Sequence, residues 1–515
     1  MSLASLRKRL PVRLRQHWIP LTAGLAGISV ALTIFGDVAI RPYSTSSAAV
    51  TDEELIIQNV EGTVDLFDDT VDHEVLLSYS QDDYDRMLDA YFAEGEKEWM
   101  TVDITIDGTT IDSAAVRLKG NSTLSSLVDD RVGSATEGEQ APGGRGGMDE
   151  DADEDADEDA GEVERPRPPE GAGGGGEGGG GLQQASLSTD EPESLPLLVS
   201  FDENQPGRAY QGMTELSIRP ASGVNTSSLN EAVALELTEQ SGQVTQDYSF
   251  TTYAVNDRPT TTRLVVENPD PQYAAGLEGD GVLYKLLSTS VFTFQGDDQT
   301  EYTDDFKQVN LNGSQDLQPI LSFLEWLDGA SDEEFAQDLD QWVDVESFAT
   351  YLGTQEVLGN FDTIAGPGRN GYLYYDLDTG LISVVSWDLN LALGGMSMGG
   401  GGGFAARVGD DPAAEGAPDA EAMPERPAGG GPGGGGGMGG ENALVTRFEA
   451  NSDYSAMVDQ VVSDLTADWI ESGAGAQLVD EVAALVPVTE TVDQAAIDAD
   501  AETVKSALVA AEASP

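Results

Sequence analysis

An α+β fold is predicted by three observations on the sequence. Up to about residue 300 the chain reads mainly as short alternating strands, with two helices among them. From Leu317 onward the apolar spacing turns helical. Two stretches, 129–194 and 396–440, switch to acidic and Pro- or Gly-rich composition that cannot build a core, and predict disordered insertions.

Composition bounds the chemistry. The 515 residues leave room for one large domain or two to three smaller ones. There is no cysteine, which excludes disulfides, thiolate zinc sites and cysteine nucleophiles. His17 and His73 are the only histidines, so histidine-rich metal centres are excluded and a Ser-His-Asp triad would rest on His73 alone. The net charge is −68, from 93 acidic and 25 basic residues. Acidic residues spread well beyond the run MDEDADEDADEDAGEVE, and lysine is scarce. Such a surface stays hydrated in concentrated salt, where repulsion is screened, and points to a halophilic source. Acidic linkers in a secreted protein from a moderate environment are the other reading. No basic patch follows residue 40, so nucleic acid is not an expected partner.

The N-terminus carries Arg7, Lys8, Arg9, Arg13 and Arg15 ahead of an uncharged stretch from Trp18 to Gly36. Residues 18–36 are predicted to form a transmembrane helix, with 1–17 as a cytoplasmic basic tail and the body of the protein outside. A cleaved signal peptide is the alternative, with a weak cleavage site at Ser47–Ala49. Both readings export the body of the chain.

A polar linker leads to ELIIQNVEGTVDLF, which alternates as a strand. DHEVLLSYSQDDYDRMLDAYFAEGE reads as a strand and then a helix, with Tyr84, Met87, Leu88 and Tyr91 on one face. Two strands flank Asp107-Gly108, a hairpin signal. The second ends in RLKGNST, where Lys119, Gly120, Asn121 and Ser122 form either a phosphate cradle or an ordinary strand exit. In the first insertion, DADEDADEDAD lacks the glycine and terminal glutamate of an EF-hand loop; solvated disorder is the better reading than loose Ca²⁺ binding. Order is expected again from Leu195, with strands at LPLLVSFD and YQGMTELSIRP. A helix follows over SSLNEAVALELTEQSG, capped by Ser227 or Ser228, with Glu231 in its first turn and Gly242 at its close. DYSFTTYAVND and TTRLVVENPD form a hairpin, and VLYKLL is a short strand carrying Lys285. This strand–helix–strand–strand order suits the small lobe of a kinase-like fold.

Between Tyr351 and Gly395, Asn360, Asp362, Asn370, Asp388 and Asn390 stand among apolar runs around a hairpin, GYLYYDLDTGLISVVSWDL. The hairpin would bring the Asp362 and Asp388 ends together. Converging carboxylates and carboxamides suit Mg²⁺ or Mn²⁺, and one carboxylate can orient a hydroxyl nucleophile. Plain turn residues are the competing reading.

These residues resemble the spore coat protein H (CotH) kinase family, atypical secreted or surface protein kinases. The resemblance rests on VRLKGNST, FDENQPGRAYQGMTELSI, YAVNDRPTTTRLVVENPD, GVLYKLL, NFDTIAGPGRNGYLYYD, SWDLNLALGG and LVTRFEANSDYSAMV, in that order. It implies an atypical protein-kinase-like two-lobed fold, with 52–128 and 195–300 as the N-terminal lobe. Residues 301–395 would be the C-terminal lobe, 396–440 a Gly-rich loop and 441–515 closing helices. It implies transfer of the ATP γ-phosphoryl group to Ser/Thr hydroxyls of surface or secreted proteins, with Mg²⁺ or Mn²⁺. Asp362 would orient the acceptor hydroxyl, Asp388 would bind metal, and Asn370 would be a second metal ligand. Asn390 stands where members usually carry another aspartate. Glu267 and Asn268 fall where an adenine-binding hinge would lie, and Glu231 would pair a phosphate-binding cation from Lys119 or Lys285. Thr262-Arg263-Leu264 departs from the family's usual sequence before the hinge, and Arg219 stands near an expected lysine, which arginine does not simply replace. A catalytically weak or inactive scaffold organising cell-envelope proteins is the alternative function, and a calcium-binding adhesion protein a third.

Overall fold

A computed structural model describes residues 55–120, 123–129, 131, 187–220, 225–395 and 442–512. The apolar N-terminal segment, Asn121, Ser122, the acidic repeat and the Gly-rich runs lie outside these residues. Among the described residues, no helix is long and apolar enough to cross a membrane.

The alternating stretch at the start yields only β1 (Gln58–Val60). The next strand and helix are as predicted: β2 (His73–Ser78), then α1 (Gln81–Glu94), which buries Tyr84, Met87, Leu88 and Tyr91. β3 (Met100–Ile106) and β4 (Thr109–Leu118) form the expected hairpin, with Asp107 at φ 48° and Gly108 at φ 78°. Two successive left-handed residues match the twist of the flanking strands. The Asp107 carboxylate lies 2.8 Å from His73 Nδ1, and His73 Nε2 lies 3.0 Å from the Asp68 carbonyl. His73 is therefore a buried tie beneath the hairpin, with both ring nitrogens engaged.

β5 (Leu197–Ser200) follows, then β6 (Arg208–Tyr210), which pairs with β1, and β7 (Glu215–Ile218). Helix α2 (Leu229–Gln240) separates β7 from the hairpin of β8 (Tyr248–Val255) and β9 (Thr261–Glu267). Seven strands close a barrel in the order β2-β3-β4-β5-β7-β9-β8, with β8 returning parallel to β2. Alternate residues such as Val75, Val102, Ile104, Val116, Val199 and Leu216 fill one apolar core with the buried face of α1.

The first insertion is shorter than its composition predicts. Residues 187–194 belong to the fold: Leu187 is buried, and Glu193 pairs with Arg258, Nε to Oε2, at 2.5 Å. A run rich in Ser, Asp, Glu and Pro reads as solvated when its distant cation is invisible.

After β9 the chain leaves the barrel through α3 (Pro271–Gly276), capped by the Asp270 side chain. The VLYKLL strand, β10 (Gly281–Leu286), does not complete the first half as expected. It sits inside a second sheet of β11 (Phe306–Gln308), β12 (Tyr372–Asp376) and β13 (Ile382–Val385), in the order β11-β10-β12-β13. The reason is burial on both faces, since Val282, Leu283, Tyr284 and Leu286 all need cover. Helices α4 (Gln318–Gly329), α5 (Asp332–Asp338) and α6 (Val345–Val357) supply part of it, with α7 (Ala443–Ala450) and α8 (Ser452–Leu465) beyond the second insertion. α6 and α8 pack closely because residue 353 is glycine; a Cβ there would lie 2.7 Å from Val461 Cγ1.

α2 has almost no polar face, and it is covered on nearly every side. Barrel strands β8 and β9 lie on one side; α9 (Ala474–Ala483) and α10 (Gln494–Glu512) pack on another. Its cap differs from expectation. Ser228 adopts a left-handed conformation and makes no side-chain cap bond. Instead the buried Asp500 of α10 accepts from Ser227 N at 2.9 Å, Ser227 Oγ at 2.6 Å and Thr226 Oγ1 at 3.0 Å. Replacing Asp500 with Ala should lower unfolding free energy by about 2–3 kcal/mol, the worth of hydrogen bonds to a charged group. Urea titration would read this as a lower midpoint at unchanged slope.

Candidate functional site

The ends of four strands approach one another beside α2. Lys119 directly follows β4, Arg219 follows β7, Asn268 follows β9, and the turn after β13 presents Trp387 and Asp388. Arg219 is the centre of this group. Its Nε donates to Glu231 Oε2 at 3.0 Å, its Nη2 lies 2.8 Å from Glu231 Oε1, and the same Nη2 donates to Asp388 Oδ1. The guanidinium sits 5.7 Å from the centre of the Trp387 ring, and the Lys119 ammonium lies 5.2 Å from the same ring. Both distances suit cation–π contact. Asp388 holds φ 59°, a left-handed conformation uncommon for a non-glycine residue.

Burial opposes charge on Arg219, but Asp388 and Glu231 overcome it and hold the guanidinium ionised. Burial is also the largest influence on Glu231, lifting its carboxyl above the usual range against the pull of Arg219. The predicted partners of Glu231 are thus corrected. Lys119 instead donates to Asn268 Oδ1 at 2.9 Å, and Lys285 lies in β10 opposite Tyr372 and Lys307. The expected pairing chose among lysines, whereas the strand leading into α2 delivers an arginine.

Asn268 joins this rim: its Nδ2 donates to Glu215 Oε2 at 2.6 Å and its Oδ1 accepts from Ser217 Oγ at 3.2 Å. Burial first, then Asp270, pushes Glu215 up to about 7. Glu267, the neighbouring hinge candidate, is pushed up to about 8 by burial and by Asp247 and Asp270. Asn268, rather than Glu267, makes the side-chain link to Lys119.

Asp362 lies in the loop between α6 and β12. Gly368 N donates to its Oδ1 at 2.6 Å, Asn370 Nδ2 to its Oδ2 at 3.1 Å, and its own N–H donates to Asn360 Oδ1 at 3.3 Å. The loop is tight: a Cβ at Gly368 would lie 2.7 Å from Asp362 Oδ2. Burial raises the Asp362 carboxyl to about 6; the Gly368 N–H lowers it, the Asp388 charge raises it and Arg369 lowers it. The hairpin therefore does bring Asp362 and Asp388 into electrostatic reach. Asn370 is bound to Asp362. Asn390 lies two residues after Asp388 in the turn Leu389–Leu391, where its carbonyl accepts from Asn230 Nδ2 at 2.7 Å. Gly120 follows Lys119 at φ 89°. Sequence reasoning missed Arg219 as the partner of both acids, and the ring of Trp387; the signal was a cation at a strand exit just before a helix with a lone buried glutamate.

A family model described as CotH kinase protein matches residues 182–504, well over half of the chain. The match takes in Arg219, Glu231, Asp362, Asn370 and Asp388, while Lys119 precedes it. No curated protein matches the chain.

The electrostatics can be checked directly. Carbon-13 NMR titration of Asp362 should give a midpoint near 6. Asp388→Asn removes a neighbouring negative charge and should lower that midpoint; a midpoint in the ordinary aspartate range in both proteins would contradict the site geometry.

Proposed function

The chain belongs to the CotH kinase family, and from that membership we propose an exported, membrane-anchored protein kinase that transfers the ATP γ-phosphoryl group to Ser/Thr hydroxyls of surface proteins. The observation that carries the proposal is the ionic link from Glu231 through Arg219 to Asp388, with the Asp362 carboxylate close enough to feel Asp388. Phosphoryl transfer needs little covalent chemistry from the protein; it needs positioned charge and an oriented nucleophile.

Asp362 serves as the orienting base. Gly368 and Asn370 each hold one of its oxygens, so the carboxylate keeps one direction. An acceptor hydroxyl donates its hydrogen bond to Asp362 and passes its proton there as the oxygen attacks the γ-phosphorus. A carboxyl with a pKa of about 6 is ionised at neutral pH and more basic than an ordinary aspartate. Lys119 and Gly120 lie at the strand exit suited to phosphates, with Asn121 and Ser122 next in sequence, and Asn268 marks the adenine side.

The residues fit a divalent cation of the phosphoryl-transfer type. Among the described residues, no three or more His, Cys, Asp or Glu side chains form a metal-holding group. Mg²⁺ at such sites is held by one or two carboxylates together with phosphate oxygens and waters, not by a protein cage. Asp388, with the carboxamide oxygens of Asn370 and Asn390, would hold Mg²⁺ or Mn²⁺ in that manner. When bound, the cation neutralises charge on the β- and γ-phosphate oxygens. The basic residues before Trp18–Gly36 support the anchor and an extracellular body. Arg219 and Asn390, where lysine and aspartate were expected, favour the second reading, a weak or inactive kinase-fold scaffold.

Purified protein with labelled ATP and Mn²⁺ or Mg²⁺ separates the two. The kinase should label itself or an added protein, and Asp362→Asn should lower the rate by about 10²-fold or more, the usual worth of a general base. Absence of label from the unaltered chain, or label from Asp362→Asn and Asp388→Asn equal to that of the unaltered chain, would leave the scaffold. In the active case kcat/KM should fall about tenfold per pH unit below about 6, because protonation removes the Asp362 base.

A further inference from the structure

Arg219 does more than pair with Glu231. Two guanidinium nitrogens face the two Glu231 oxygens, and Nη2 extends the same fork to Asp388 Oδ1. A lysine ammonium is a point charge on a flexible stem, which can turn from one partner to another; a fork bound at both Glu231 oxygens cannot. Its surroundings fix it further. Arg219 is buried against Trp387, and Glu231 is buried on α2. That helix is tied by Asn230 to the carbonyls of Asn390 and Ala392, at 2.7 and 3.0 Å, and by Asp500 at its N-terminus. Of the three charged groups, Asp388 is the most open to solvent.

We propose that Arg219 occupies the metal-binding carboxylate of Asp388 until nucleotide arrives, so that divalent metal binds together with the nucleotide and not before it. This rests on the kinase reading of Asp388. A divalent cation entering alone would compete with Nη2 for one carboxylate and lie beside a cation that has nowhere to move. The repulsion acts in a poorly solvated setting, where screening is weak. Nucleotide phosphates remove the obstacle. They bring negative charge to the metal and present acceptor oxygens to the guanidinium in place of Asp388. The bridge thereby couples the two ligands, each favouring the other by the same factor.

The test is Mn²⁺ titration, followed by the electron paramagnetic resonance of free Mn²⁺, with and without a non-hydrolysable ATP analogue. In the unaltered chain the analogue should tighten Mn²⁺ binding by at least about tenfold beyond what the analogue alone binds in buffer. The double variant Arg219→Gln/Glu231→Gln removes the buried pair together and leaves no lone buried charge; it should bind Mn²⁺ alone at least about tenfold tighter than the unaltered chain. Arg219→Lys, which retains a buried cation for Glu231, should shift the same way and serves if the double variant misfolds. Mn²⁺ binding that is equally tight without nucleotide, or unchanged in folded variants, overturns the proposal. Asp388→Asn separates the layers. If it abolishes Mn²⁺ binding while the Arg219 variants change nothing, only the ordered binding falls. If it leaves Mn²⁺ binding intact, the site reading falls with it.

Discussion

A buried guanidinium holds the two halves of this fold in register. Arg219 comes from the barrel, Glu231 from α2, and Asp388 from the turn beyond the second sheet. Taking charges out of water is costly, and losing one partner of such a pair leaves an uncompensated charge worth about 3–5 kcal/mol. Barrel, helix and sheet therefore cannot slide past one another independently. The carboxylates of the proposed site inherit their spacing from this constraint, which is why so much of the remaining packing converges on α2.

The same constraint divides labour between two aspartates. Asp388 faces a fixed cation. Asp362 is held by a backbone N–H and a carboxamide, both neutral, in a buried loop beside another negative charge. One environment sets a carboxylate against a fixed positive charge and the other gives a carboxylate that takes up protons readily, the arrangement expected where one acid binds charge and another moves a proton.

Local chemistry was legible in the sequence and distant chemistry was not. The Asp107-Gly108 and Asp378-Thr379-Gly380 hairpins follow from turn residues flanked by alternation, and α1 from the spacing of Tyr84, Met87, Leu88 and Tyr91. The nearness of Asp362 and Asp388 follows from the second hairpin. The partner of Glu231 did not emerge, because a lysine looks like the natural phosphate cation and only the placement of β7 against α2 selects Arg219. The sheet of β10 was missed because an apolar run states that it must be buried without stating between which strands. The engaged state of Glu193 was hidden for the same reason: its partner Arg258 lies 65 residues away.

The Asp500 cap has a temporal meaning as well as a structural one. Ser227 and Asp500 are separated by 273 residues, so the helix that carries Glu231 lacks its terminal acceptor until α10 has been made. The barrel strands can pair early, since their contacts are closer in sequence. The phosphoryl-transfer centre proposed here is complete only after α10 has emerged and docked. A chain arrested before that point would hold a formed barrel beside an unfinished centre. Maturation in this order would keep the chemistry silent until α10 has docked on the helix that carries Glu231.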